Sequence, residues 1–276
     1  MASNDDELIK FEAEGATLPP ATSPDAKEQG YVDHDGAHIW YATYGSGFPV
    51  ILLHGGLGHS GNWGNQVLAL VSGGYQVVLI DSRGHGRSTR DARPYRYELM
   101  ASDVLAVMDT LQLAQAAMVG WSDGAVIALT VAMQMPERVA GVFFFACNVD
   151  DSGTKEFVFT PTLGRCLTRH QEDYAQLSAT PHLFQQLMDD VSTMQRTQPN
   201  YSAADLAQIS VPVTVVHSEH DEFIKQEHAE YLATTIPNAD FVYLPEVSHF
   251  APLQRPALFN QTILAFLDGL DAQGSK

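Results

Sequence analysis

The sequence predicts an α/β fold: a doubly wound, mostly parallel eight-stranded sheet carrying one helical insertion. Three observations lead there. Short, continuous apolar runs recur along the chain, amphipathic helical patterns alternate with them, and the alternation lapses once, between residues 150 and 208.

Residues 1–29 are polar, acidic and dotted with Pro19, Pro20 and Pro24. They read as a flexible acidic arm. From Tyr31, YVDHDGAHIWYATYG reads as two strands joined by a turn at Asp35-Gly36. PVILLHGG follows, an apolar run bounded by Pro49 and Gly55. Its texture returns in YQVVLID (75–81), AAMVGW (116–121), VAGVFFFAC (139–147), VPVTVVH (211–217) and ADFVYLP (239–245). These runs are continuous rather than alternating, as in strands buried on both faces. Between them, YELMASDVLAVMDTLQL sets Leu99, Val104, Val107, Met108 and Leu111 largely on one side of a helix. AVIALTVAMQMPERV, EHAEYLATTIP and PALFNQTILAFLDGL supply further helices. The core is therefore expected over residues 30–149 and 209–272. Within 150–208, TRHQEDYAQL, PHLFQQLMDDVSTMQRT and NYSAADLAQI read as helices with no buried strand among them. That pattern suggests a cap over one end of the sheet.

Charge narrows the partners. The chain has 276 residues, with 15 Lys plus Arg against 33 Asp plus Glu, a net charge of -18. Such a surface repels phosphate backbones and anionic bilayers, so a small-molecule substrate is expected and no nucleic acid or membrane partner. No apolar run approaches the roughly 20 residues that span a bilayer. The N-terminus lacks the basic and apolar regions of a signal peptide. The two cysteines, Cys147 and Cys166, could pair, but two thiols in a chain this long fit a reducing cytoplasm. The composition sets no oligomeric state.

Two stretches compete for the active site. Gly56, Gly58 and Gly61, with Asp81 further on, match the spacing of a dinucleotide fingerprint. That match is weak. The glycines follow the third strand rather than the first, Asn62-Trp63-Gly64 opens a helix poorly, and Arg83-Gly84-His85-Gly86 after Asp81 has no place in the fingerprint. The rival is Gly120-Trp121-Ser122-Asp123-Gly124, a G-x-S-x-G with a strand before it and a helix after it. A nucleophilic serine there sits in a strained turn, and flanking glycines let backbone approach backbone. The turn lifts the hydroxyl above the sheet and aims the first free amides of the helix at the same spot.

A serine hydroxyl needs a base and a group that orients the base. In this architecture they follow in the order Ser, acid, His, each after a later strand. The loop HSEHDEFI supplies Asp221, and EVSHF supplies His249. Asp150 and Asp151, after the VFFFAC strand, offer an alternative acid, while Glu219 and Glu222 read as solvated. An oxyanion also needs donors. The backbone N–H of Gly56, in the HGG turn, and that of Asp123 are the candidates.

With these residues in hand, the chain resembles the α/β-hydrolase superfamily from about Tyr31 to Leu270. The resemblance is carried by His54-Gly55-Gly56, Asp81 to Ser88, Gly120 to Gly124, Asp221 and Val247-Ser248-His249-Phe250. It implies that D-x-R-G-H-G-x-S is a structural loop rather than a ribose site. It also implies a Ser-His-Asp triad, no metal, no organic cofactor and a cap over the active site. Serine at the elbow separates the chain from haloalkane dehalogenases, which carry aspartate there.

Asp123 has two readings. An acid in the first turn of a helix is favoured by the helix dipole. Alternatively its carboxylate faces the pocket and holds a cationic substrate group. The elbow GWSDG resembles that of valacyclovir-hydrolase-like amino-acid ester hydrolases, where this aspartate meets the substrate's amino group. The chain has HGG where that subgroup lacks the histidine. Among the other histidines, His54 and His85 are expected to organise loops. His34 and His38 flank a hairpin turn, and His217 and His220 come without a metal-site pattern.

The function expected is a serine hydrolase cleaving a small acyl ester, carboxylesterase-like, through an acyl-enzyme. The same apparatus serves carbon–carbon bond, lactone or amide substrates. A non-enzymatic small-molecule receptor of the same fold is the rival from another class, and turnover separates the two.

Overall fold

The computed structural model describes residues 26–159 and 161–274. The expected acidic arm therefore lies, up to Asp25, outside the described residues. Eight strands form one sheet: β1 (Glu28–His34), β2 (Ala37–Gly45), β3 (Pro49–Leu53), β4 (Gln76–Ile80), β5 (Ala116–Trp121), β6 (Val139–Phe145), β7 (Val213–His220) and β8 (Ala239–Ser248). Their spatial order is β1-β2-β4-β3-β5-β6-β7-β8. β1 pairs antiparallel with β2, and β2 antiparallel with β4. All other neighbours are parallel. The direction of winding reverses between β3 and β5. Ligands of open α/β sheets bind at such a switch point, beyond the carboxyl ends of the strands.

For β3 to β7 the continuous apolar runs are explained by burial on both faces. The ADFVYLP run is a correction, because β8 is the edge strand and leaves Phe241 and Tyr243 exposed. Ile51, Leu53, Met118, Phe144 and Val215 face one layer with helices α2 (Tyr97–Thr110), α3 (Asp123–Gln134) and α7 (Gln226–Thr235). Val50, Leu52, Val119, Phe143 and Phe145 face the other, with α1 (Gly64–Ser72) and α9 (Pro256–Gly274). In these inner strands neither face meets water, so neither needs polar residues.

Two further expectations are corrected. β1 begins at Glu28, not Tyr31, so the end of the expected arm belongs to the sheet. Glu28 and Gln29 pair by backbone with Thr43 and Ala42, which an edge strand achieves without apolar side chains. Helix α1 was hidden by its glycine-rich opening. A 3-10 turn, Ser60–Trp63, starts it, capped by His59: the imidazole accepts the Gly61 N–H, and Asn62 accepts the His59 N–H. Val67 and Leu70 then bury the helix on the sheet. Cap and packing outweigh weak intrinsic propensity.

Between β6 and β7 lie α4 (Pro161–Leu177), α5 (Phe184–Thr197) and the single turn α6 (Ala203–Leu206). Tyr174, Phe184, Leu187, Val191 and Met194 join the core layer of α2 and α3. The chain leading into this segment is pinned to the loop after β7. The Lys155 N–H donates to the Phe223 carbonyl at 2.7 Å, and the Lys225 N–H to that of Gly153 at 2.9 Å. No helix among the described residues is long and apolar enough to cross a membrane.

Candidate active site

Ser122 directly follows β5 and caps α3 with φ 54° and ψ -125°, a region that L side chains rarely occupy. Its N–H bonds to the Phe145 carbonyl of β6 at 2.9 Å, and its own carbonyl accepts from Ala125 at 2.7 Å. The glycines of the motif are steric necessities. A Cβ on Gly120 would run into the Ala125 backbone, and one on Gly124 into the carbonyl of Leu53 in β3.

Asp221 and His249 start where β7 and β8 end. Both strands run further than the apolar pattern indicates, and they pair up to His220 against Ser248 after a register shift. The carboxylate of one loop thereby meets the imidazole of the other, Oδ2 to Nδ1 at 3.0 Å. The other Asp221 oxygen accepts the N–H groups of Phe223 and Ile224 at 2.9 and 2.8 Å. Burial alone would raise the Asp221 pKa, but the His249 charge and these hydrogen bonds bring it below the usual carboxylate value. For His249, burial works to lower the pKa. Asp221, then Glu222 and Asp123, outweigh it and hold the imidazole above its ordinary value. Phe223 closes one side of the ring, edge-on at 4.7 Å, with Phe250 and Trp121 beyond. Asp150, the alternative acid, instead accepts from the Ser152 N–H at 2.8 Å.

Gly56 lies against the elbow. A Cβ there would stand 2.6 Å from Asp123 Oδ2. Asp123 is buried, and its side chain points at partners in the cavity wall. Tyr97 donates its hydroxyl at 2.8 Å, and Gln195 of α5 donates at 3.1 and 3.0 Å to the two oxygens. Both partners are neutral. Burial raises the Asp123 pKa against these hydrogen bonds.

The loops beneath are scaffolding. His54 Nε2 accepts the Ser82 N–H at 2.9 Å, so Nδ1 donates to the Gly55 carbonyl at 2.8 Å and shapes the HGG turn. Burial drops its pKa to about 4 and that of His85 to about 3. Asp81, the would-be ribose acid, is fully buried. It accepts from the Ser60 N–H, the Arg87 N–H and the Arg87 guanidinium at 2.7–2.9 Å.

Ser122, Asp123, Gly56 and His249 line one cavity of about 390 Å³. Its far wall comes from the helices between β6 and β7: Leu163, Cys166, Leu167 and His170 from α4, then Met188, Val191, Ser192 and Gln195 from α5. The spacing is i, i+3, i+4, i+7 in both, one face of a helix. That period was available in the sequence, but only packing tells which face meets the cavity. Tyr97 was hidden inside a helix that reads as core. Glu222 is corrected outright. Rather than being solvated, it is partly buried and accepts the His249 N–H at 2.9 Å. Both cysteines line the cavity, and no disulfide joins them.

The alpha/beta hydrolase fold family matches residues 49–256. A non-heme haloperoxidase of Rhodococcus erythropolis is 27% identical over 266 residues, covering 85% of this chain and 97% of its own length. The 3-oxoadipate enol-lactonase 2 of Acinetobacter baylyi is 26% identical over 249 residues, covering 82% and 92%. Among solved structures, Est816, described as an N-acyl homoserine lactone degrading enzyme, superposes with a TM-score of 0.68 at 27% identity, covering 86% of this chain and all of that one. The match spans most of the sheet and every strand end that bears a candidate residue, so the chain belongs to the α/β-hydrolase fold family and is a hydrolase of that family.

Proposed function

We propose that the protein is a serine hydrolase of small acyl esters, with Ser122 as nucleophile, His249 as base and Asp221 as its orienting acid. The observation that carries this reading is the meeting, in one cavity wall, of a strained Ser122 at a helix head and a carboxylate-bound His249. Asp221 occupies Nδ1, so Nε2 is the nitrogen available to the serine. The Ser122 Oγ attacks the ester carbonyl carbon and its proton passes to His249 Nε2. The carbonyl oxygen takes up negative charge beside the N–H groups of Gly56 and Asp123. Collapse breaks the bond to the leaving alkoxide, which takes the proton from His249. Water then attacks the acyl-enzyme with His249 again as base, and the acid leaves. Residues 150–208 act as the cap that excludes bulk water and selects the substrate.

Cavity chemistry narrows the substrate. Among the described residues its wall carries one carboxylate, Asp123, two imidazoles, His170 and His249, and neither Lys nor Arg. This favours a neutral or cationic ester over one bearing a carboxylate. The names of two relatives favour a lactone as the second reading. A lactone is a cyclic ester and follows the same steps with a tethered leaving group.

The test is fluorophosphonate labelling, followed by hydrolysis of p-nitrophenyl acetate to octanoate and of a simple lactone. Labelling and turnover are expected in the wild type and neither in Ser122→Ala. Labelling without turnover on any of these substrates would favour the receptor. A Ser122→Ala enzyme that still turns over would remove the mechanism.

A further inference from the structure

Asp221 is followed at once by a second carboxylate, and the two grip the same histidine. Asp221 Oδ2 meets the His249 ring at 3.0 Å, and Glu222 Oε2 accepts the His249 backbone N–H at 2.9 Å. The backbone here has left the sheet. β8 stops at Ser248, and α8 (Ala251–Gln254) begins two residues beyond His249. Three successive amides are held by side chains instead: Ser248 by Gln254 at 2.8 Å, His249 by Glu222, and Phe250 by the Ser248 hydroxyl at 3.3 Å. The middle one presents the base. A buried amide that loses its acceptor is costly and rotates to find another, and rotation there would swing the imidazole.

We propose that Glu222 is a positioning residue of this hydrolase: it locks the main chain of His249, so that the imidazole stays between Asp221 and Ser122, and its charge faces the imidazolium formed in turnover. The proposal rests on the triad assigned above. The charged and titratable groups around His249 are Asp221 and Glu222 from the loop after β7, Asp123 from the head of α3, and His217 from β7. The Lys155 ammonium, from the segment after β6, sits on the Asp221 carbonyl at 2.5 Å. Only Glu222 among them bonds the His249 backbone.

The experiment compares Glu222→Ala and Glu222→Gln with Ser122→Ala and His249→Ala in pH-dependent steady-state kinetics. Glu222→Ala should lose about tenfold to a hundredfold in kcat with KM little changed, the scale of a misplaced catalytic group. Glu222→Gln keeps an acceptor for the amide and should recover most of kcat. Its acid limb of kcat/KM should move to lower pH, because one negative charge that favours the imidazolium is gone. If Glu222→Ala proves unstable, Glu222→Gln alone decides: an acid limb unmoved from the wild type overturns the proposal. So does a wild-type kcat in Glu222→Ala. Full activity in Ser122→Ala and His249→Ala would overturn the triad and this proposal together, whereas inactive triad variants beside wild-type Glu222 variants would overturn this proposal alone.

Discussion

Ser122 occupies a backbone conformation that costs a non-glycine residue on the order of 1–3 kcal/mol, and the surrounding contacts hold it there. The base proposed for it, His249, is tuned by neighbours. The His249 pKa lies above the ordinary imidazole value because Asp221 and the other carboxylates outweigh burial. A base works only when deprotonated, so kcat/KM should rise with pH through that elevated value. In Asp221→Asn the largest counter-charge is gone. The acid limb should then move to lower pH, and kcat should fall roughly a thousandfold or more through loss of the correct tautomer. A pH–rate profile of both enzymes checks this. Asp123 makes a separable prediction. Its carboxylate is bonded by a hydroxyl and an amide, both neutral, and can still balance an ammonium. Asp123→Asn should lose about tenfold more on an α-amino ester than on the des-amino analogue, the scale of a hydrogen bond to a charged group. Equal losses on the two substrates would remove amino-group recognition.

Among the described elements, the segment leading from β6 into α4 presents an oddity. Phe157, Val158 and Phe159 are consecutive and 66%, 65% and 63% exposed. Phe157 and Phe159 also line the cavity, and Phe157 stacks on Phe223, whose ring packs on His249. An aromatic path thus leads from solvent to His249. A substrate chain lying on it would gain about 0.8 kcal/mol, or roughly fourfold, per buried methylene. The double variant Phe157→Ser, Phe159→Ser should leave p-nitrophenyl acetate hydrolysis within about twofold and reduce kcat/KM on the octanoate by tenfold or more, on that same scale. A chain-length series measures it, and a uniform loss at every length would count against the path. Elements also differ in how legible they are. The buried strands and α3 could be read because their patterns are long and apolar. Helix α1 could not, because its start depends on the His59 side chain accepting the Gly61 N–H while the Asn62 side chain accepts the His59 N–H.

At the scale of the molecule, the ends of several strands must agree to within the length of a hydrogen bond. Arg83, in the loop after β4, ties a helix to the first hairpin. Its guanidinium forms two bonds to Asp103 of α2, at 3.0 and 2.7 Å, and reaches the Asp35 carbonyl of the first hairpin at 3.0 Å. Both side chains of the ion pair are 2% exposed. Removing one partner strands a buried charge, so Arg83→Ala should destabilise the fold by about 3–5 kcal/mol. Urea unfolding measures this, and a midpoint unchanged from the wild type would contradict it.

What the sequence determined by itself was whatever depends on local order and period. The two-sided burial of β3 to β7 shows in their continuous apolar runs, whereas the same texture in β8 belongs to an exposed edge strand. The elbow shows because only glycine fits at 120 and 124. The chain order of the proposed triad, Ser122, Asp221 and His249, follows the order of the strands that carry them. What only the tertiary structure decided are relations between residues far apart in the chain. They include the partner of Asp123 in α5, the cavity-facing stripes of α4 and α5, and the grip of Glu222 on the His249 backbone. Glu222 reads as one more acid in a polar loop, and nothing in its neighbours tells a solvated carboxylate from a buried one. Its burial comes from β7 and β8 running side by side to their ends, a pairing between segments 27 residues apart that no local pattern encodes.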